Sequence, residues 1–365
     1  MGISNLFSNE KINIGRQIEL DIAKALSIIF MIFLHTMWVA INFNHSLSPT
    51  YEFVVGSILG RPYAAPIFMF CMGVGIVYSR HSQWDLMVKR GIILYLLGIL
   101  VNVFEFIIPH FLSGDLIPST AGKFPIAGGL LLFCVDILAF AGLAFILMGI
   151  LKKLQLSNKK LIIIAVIMSL LGTFLKNLNS GITLLQLFLS NFIGATGNFT
   201  AFPLLNWFIF PVAGYIWGQY FIRAKDKNVF FKFWPIYIIV ALIYFFVSTK
   251  LGVGILSTNI HDYYFMNTLD ALFCIINAHG VIGLCYWISK YLPDAIIKAA
   301  TILSSNINTI YIVQWFFITV LIILISYFFK GIVWNDLLNS IFAIFIIVLS
   351  TAIALGYKKL RTSKS

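Results

Sequence analysis

The chain has 365 residues and a net charge of +12; hydrophobic residues make up 60%, charged residues only 10%, and the mean hydropathy is +0.96. A soluble domain carries about 25% charged residues, so an ordinary soluble enzyme is excluded and an all-α, polytopic membrane bundle is expected. The basic residues sit in short loops between apolar runs, which is the pattern of membrane topology and not of nucleic-acid binding.

The first apolar stretch, RQIELDIAKALSIIFMIFLHTMWVAI, runs from Arg16 to Ile41. It carries Asp21, Lys24 and His35. At about 100° per residue, Lys24 and His35 point within about 20° of each other, and Asp21 falls within about 60° of both. Along the axis, Lys24 and His35 are about 16 Å apart, roughly half the hydrocarbon core. An acid, a cation and a base on one stripe of a membrane helix are expensive in lipid and read as a functional site. The stretch is too long and too charged for a signal peptide and is expected to be a retained first span.

About ten spans follow from apolar run length: 18–41, 62–79, 91–112, 126–151, 161–175, 202–222, 233–249, 266–289, 307–329 and 334–356. The segment Ile182–Ala195 is apolar but short, and is expected to be re-entrant or interfacial. With the N-terminus inside, 19 of the 25 Lys and Arg fall in inner segments and 5 in outer loops, with Lys24 inside the first span. That asymmetry puts both termini in the cytoplasm and requires an even number of spans. Asp21 and Lys24 then lie near the cytoplasmic end of the first helix and His35 in its outer half. One integral-membrane domain, 1–365, is expected.

In the second span, Pro62 and Pro66 should break or kink the outer end, while Gly73 and Gly75 allow close approach of a backbone or a ligand. Arg80 caps the inner end, with Lys89 and Arg90 across a short loop. This basic rim could hold phosphates, although topology signalling explains its charge equally well. Glu105 in the third span, one turn after Asn102, and Asp136 in the fourth, with no adjacent cation, are the carboxylates that could reach His35 from another helix. Gly214 and Gly218 form a GxxxG that reads as close helix packing. Asp270 begins the eighth span with Asn277 on the same face, and His279 on the opposite face reads as structural. The outer segments GNFTAFPLLNW (197–207) and STNIHDYY (257–264) could form a sugar-binding surface, or belong to an interfacial aromatic belt. Cys71, Cys134, Cys274 and Cys285 lie in apolar runs without metal-ligand spacing. No metal site is expected, and there is no P-loop, GxSxG or HExxH.

His35 is the leading catalytic candidate, since a neutral imidazole can take a proton from a hydroxyl or amine near neutral pH. Asp21 is about four turns away, too far to orient it, and pairing with Lys24 is at least as good a reading of that carboxylate. From the residues alone, buried Asp136, Glu105 and His35 would also suit the coupling sites of a transporter or flippase for a lipid-linked sugar or small anion. A non-catalytic membrane partner is a third reading.

Four segments are similar to the heparan-alpha-glucosaminide N-acetyltransferase catalytic-domain-like proteins, of the wider transmembrane acyltransferase group that includes the acyltransferase-3 membrane proteins. They are RQIELDIAKALSIIFMIFLHT (16–36), APIFMFCMGVGIVYSRH (65–81), FCVDILAFAGLAFIL (133–147) and FPLLNWFIFPVAGYIWGQYF (202–221), with a looser likeness in SSNINTIYIVQW (304–315). The resemblance implies a membrane acyltransferase that takes acetyl from cytoplasmic acetyl-CoA and delivers it to a sugar amine or hydroxyl at the outer face. It implies His35 as the essential histidine, Asp21 and Asp136 as the accompanying acids, and Arg16, Lys24, Arg80 and Arg90 as the basic residues toward the donor's phosphates. Lys24 stands where many relatives carry Arg, and a lysine does not offer the bidentate contact. Gln314 stands where some relatives carry a second histidine. Donor, glycan acceptor and lipid are the implied partners, in a bacterial plasma membrane; self-association into a homo-oligomer is left open.

Overall fold

A computed structural model describes residues 6–108, 132–178, 180–194, 200–256 and 260–362. Lys123, the ends of two expected spans (109–112 and 126–131), Ala195 and parts of both outer segments (197–199 and 257–259) lie outside the described residues. A chain this apolar must satisfy its backbone N–H and C=O groups internally, and helices do so segment by segment. The described chain is accordingly helical, with one two-residue parallel pairing of β1 (His45–Ser46) and β2 (Trp334–Asn335).

The helices, in order, are α1 (Ile18–Ala40), α2 (Pro49–Tyr78), α3 (Trp84–Ile107), α4 (Ile137–Lys153), α5 (Asn158–Leu175), α6 (Thr183–Leu189), α7 (Leu204–Trp207), α8 (Ile209–Phe221), α9 (Lys227–Lys250), α10 (Ile260–Tyr264), α11 (Thr268–Ser289), α12 (Asp294–Ser305), α13 (Ile307–Phe328) and α14 (Asp336–Thr362). Eight of them, α1, α2, α3, α5, α9, α11, α13 and α14, are long and apolar enough to cross a membrane. The fourth expected span is the 17-residue α4, and the sixth is divided into α7 and α8.

The starts of the second and fourth helices differ most from the sequence expectation. The second helix starts at Pro49 and not at 62, because a π-helical stretch, Glu52–Gly60, carries it outward before the prolines. Its break falls at Ala64 (φ −85°, ψ −89°), between Pro62 and Pro66, whose missing N–H groups leave the ladder open there. Asp136 is not inside the fourth helix but at its N-cap, preceded by non-helical residues. The short α6, with exposed Leu184, Leu185 and Phe188, does not span.

Of the eight long helices, α1 and α2 are the most enclosed, with 61% and 67% of their apolar windows buried, against 17% for α9 and 22% for α5 at the periphery. α1 packs against α2, α11, α12, α13 and α14, so its polar stripe faces protein and not lipid. α2 and α8 touch backbone to backbone: a Cβ on Gly73 would meet Pro211 O at 2.0 Å, and one on Gly214 would meet Phe70 O at 1.9 Å. α3 and α4 interlock similarly through Gly91, Gly98 and Gly142. The four cysteines are free and buried.

The connections gather at two ends. At one end the N-terminal segment bonds residues 222–225, Lys152 donates to Ser82 O, Lys227 donates to Glu19, and Arg16 reaches Thr301 and Ser305. At the other end β1 pairs with β2, Ser48 is held by Asp336, and Arg61 donates to Ile255 O.

Candidate active site

α1 carries its polar residues into two different cavities. His35, about three turns beyond Lys24, lines a cavity of about 250 Å³ with Trp38, Glu105, Asp136, Tyr264, Tyr311 and Trp315. Lys24 lines a second cavity of about 390 Å³ with Arg90, His81, Ser304, Ser305 and Thr309. The first lies toward the end where β1 and β2 pair, the second toward the N-terminal segment. On α13, Thr309 lines one cavity and Tyr311 the other, a rise of about 3 Å. On α2 the corresponding pair is Phe68 and Ala65, a rise of about 4.5 Å.

The His35 ring is held on two sides. It stacks on Trp315 (centroids 4.2 Å apart, 27° between planes), and its Nδ1 lies 3.2 Å from Gln314 Nε2. Gln314 is fully buried, and its Oε1 has no hydrogen-bond partner among the described residues. An imidazole pinned in this way keeps one nitrogen occupied and leaves the other to be aimed.

The carboxylates arrive from other elements, as their distance from Asp21 requires. Residues 132–133 form a 3-10 turn and 134–136 lead from it into α4, tied by Asn102 Nδ2, which donates to Leu132 O (2.8 Å) and Cys134 O (2.7 Å). On the far side, Ala201 N and Phe202 N both donate to Val135 O. Asp136 is thereby presented at the cavity, where the Tyr311 hydroxyl donates to its Oδ2. Glu105 comes from the π turn Val103–Ile107 that ends α3, a local widening of the kind found at functional sites. Its Oε2 is buried and accepts no hydrogen bond from the described residues. Tyr264 is set in place by Trp207 Nε1, which donates to its carbonyl at 2.7 Å. Burial, with Tyr263, Asp136 and Glu105 nearby, pushes its phenol well above the ordinary value, so it stays a neutral O–H group.

The second cavity is polar and basic. The first turn of α13 opens onto it through Ile307, Asn308 and Thr309, and a helix N-terminus favours anions. The Arg90 guanidinium lies 4.8 Å from the Phe145 ring centre, and both line the cavity. Gly75 also lines it, with open space where a Cβ would be.

The other expected site residues divide. Asp21 is buried at the Lys24 end of α1, far from His35. It accepts from Arg16 Nε and from Ser304 Oγ (2.6 Å), and lies 3.4 Å from Lys24 Nζ. It ties α1 to α12 and to the edge of the basic cavity. Arg16 is not among the lining residues but donates to Ser305, which is. Arg80 is exposed and outside the lining. Asp270 accepts from the Tyr244 hydroxyl at 2.9 Å, and His279 Nδ1 accepts from Trp217 Nε1 at 2.6 Å; neither lines a cavity with His35. Tyr311 and Trp315 carry no separate signal in the sequence, and Tyr264 has only its place in the outer segment 257–264. Only the i, i+4 spacing of the first two, flanking Gln314, hinted that they share its helix side. Among the described residues no cluster of metal-ligating side chains occurs.

The family described as heparan-alpha-glucosaminide N-acetyltransferase, catalytic, matches this chain over residues 16–253. That range includes His35, Glu105 and Asp136 but stops short of α12 and α13. Among curated proteins and among solved structures, nothing matches. With more than half of its length matched, and with an imidazole and two carboxylates gathered inside a membrane bundle, the chain belongs to the heparan-alpha-glucosaminide N-acetyltransferase catalytic family of membrane acetyltransferases.

Proposed function

We propose that this protein moves an acetyl group from cytoplasmic acetyl-CoA to a sugar amine or hydroxyl on the opposite face of a bacterial plasma membrane. The observation that carries the reading is the pair of cavities on the same helices, one basic and one holding His35, with about one helical turn or less between them on α2 and α13. Lys24, Arg90, the hydroxyls of Ser304 and Ser305 and the first turn of α13 suit the phosphates of the donor. A pantetheine arm is of roughly the length that separates Lys24 from His35, about 16 Å along α1. The excess of basic residues at the Lys24 end supports a cytoplasmic position for that cavity.

In direct transfer, the acceptor attacks the thioester carbonyl while His35 takes a proton from it. The C–S bond then breaks, and His35 returns the proton to the departing thiolate. Asp136, joined to Tyr311, sets the polarity of the pocket wall beside the ring. In a relay, His35 itself attacks, releases CoA and holds the acetyl group until the acceptor arrives. The two routes differ in one measurement. A relay gives a stoichiometric burst of CoA from acetyl-CoA alone, and direct transfer releases none until acceptor is added.

The test is acetyl-CoA turnover by the purified protein in nanodiscs, with glucosamine or a mixed glycan extract as acceptor. Wild type should release thiol only with acceptor at steady state, and His35→Ala should lose at least about 10²-fold, the usual worth of a positioned base. If acetyl-CoA neither binds nor turns over, the reading is wrong, and transport of a small anion or lipid-linked sugar becomes the reading to test.

A further inference from the structure

We infer that Glu105 is a second catalytic group: it takes the first proton of an ammonium acceptor, and His35 takes the second. The inference rests on the acetyltransferase reading above. An amine reaches the enzyme near neutral pH as R–NH₃⁺. The balanced reaction is R–NH₃⁺ + CH₃CO–S–CoA → R–NH–CO–CH₃ + HS–CoA + H⁺. The nitrogen loses two protons. One must leave before attack, to free the lone pair, and the other leaves as the C–N bond forms. The thiolate takes up one of these, and the other departs to solvent. A single imidazole cannot hold both at once, so an amine that enters as the ammonium calls for a second proton acceptor facing the cavity, whereas one that enters as the free amine does not. A hydroxyl acceptor, with one proton to lose, calls for one.

The His35 cavity has the composition this requires. Its titratable lining groups are His35 from α1, Glu105 from α3, Cys134 and Asp136 from the segment before α4, Tyr263 and Tyr264 from α10, and Tyr311 from α13. No Lys or Arg is among the described lining residues, so the two carboxylates have no fixed counter-charge there and an entering ammonium is the cation that would favour their ionised form. Trp38, whose ring centre lies 5.9 Å from that of His35, also lines the cavity, and an indole face suits a cation. The two carboxylates are not equivalent. Asp136 Oδ2 is already engaged by the Tyr311 hydroxyl, whereas Glu105 Oε2 is buried with no donor among the described residues. A buried acceptor atom without a donor costs about 1–3 kcal/mol, and a substrate N–H would relieve that cost. Glu105 is therefore the acceptor left open for the ammonium.

The experiment compares two acceptors in the same nanodisc thiol-release assay. Glucosamine is largely an ammonium at pH 7. O-Methylhydroxylamine is already neutral there and has one proton fewer to lose. Glu105→Gln, left with the free-amine fraction, should lose about five- to tenfold with glucosamine at pH 7. That deficit should close by about pH 9 as the free amine accumulates, while turnover of O-methylhydroxylamine stays within about twofold of wild type at every pH. Glu105→Asp, which keeps a carboxylate, should retain glucosamine turnover far better than Glu105→Gln. An equal loss with both acceptors at every pH, in a variant that elutes as folded protein and still binds CoA, overturns the inference, as does no loss with glucosamine. If Glu105→Gln does not fold, the decision passes to Glu105→Asp. A glucosamine pH profile identical to wild type would then overturn the inference, and a profile displaced along the pH axis would support it. Wild type that releases no thiol with either acceptor removes the acetyltransferase reading itself, a result distinct from any of these.

Discussion

Gln314 occupies the position next to the His35 imidazole where a charged or titratable partner would change the chemistry. An amide can present either N–H or C=O. With the NH₂ group toward Nδ1, the ring proton sits on Nε2; with the carbonyl toward Nδ1, that nitrogen donates and Nε2 is the free base. Gln314 Oε1 has no other partner among the described residues, so it is available for the second arrangement. Gln314 cannot exchange a proton, and it serves to orient. Gln314→Leu keeps the bulk but frees the ring, and should lower kcat by about tenfold or more, about 1.4 kcal/mol, while CoA binding is unchanged. Equal losses in kcat and in CoA affinity would show a packing defect instead. At this scale the sequence was informative where chemistry is rare in lipid: His35, Lys24, Glu105 and Asp136 stand out because each is costly there. Tyr311 and Trp315 do not stand out, because aromatic residues are common in any membrane helix.

Among the elements, the α2–α8 contact carries the largest steric demand. A Cβ at Gly214 would fall 1.9 Å from Phe70 O, so Gly214→Ala must push two helices apart. It should destabilise the detergent-solubilised protein by about 1–3 kcal/mol, read as a lowered melting temperature. Gly75→Ala, where nothing lies within 4 Å, should leave that temperature unchanged. Equal behaviour of the two variants would remove the interlock. The GxxxG at Gly214 and Gly218 was legible as a packing face, since small residues at that spacing let backbones meet. Gly73 and Gly75 looked alike in sequence and differ in the fold: one is pressed on Pro211, the other opens onto the basic cavity. Which side a glycine faces depends on where the neighbouring helix lies, and a local pattern does not contain that information. The π turns over Glu52–Gly60 and Val103–Ile107 were invisible for the same reason, since packing and not propensity sustains them.

Across the whole molecule, the connections collect at two ends, and the basic residues crowd one of them. In right-side-out vesicles, a membrane-impermeant maleimide should label Ser46→Cys, exposed beside β2, and not Lys359→Cys, exposed near the end of α14. Reversed labelling would invert the proposed orientation and place the basic cavity outside. The free native cysteines are buried, so background labelling should be low. The sequence by itself determined the class of the molecule, its helices to within a few residues for most spans, the charge asymmetry of its loops and the stripe on α1. All of these follow from composition and from the 3.6-residue period, which act within one segment at a time. Only the tertiary structure decided that Asp21 also accepts from Ser304 of α12, that Asp136 stands at a helix N-cap, and that Glu105, Asp136 and Tyr311 line one cavity with His35 while Gln314 meets its ring. Convergence of side chains from α1, α3, α4 and α13 depends on how those helices cross, and crossing is set by the shapes of opposed faces, which no single segment specifies.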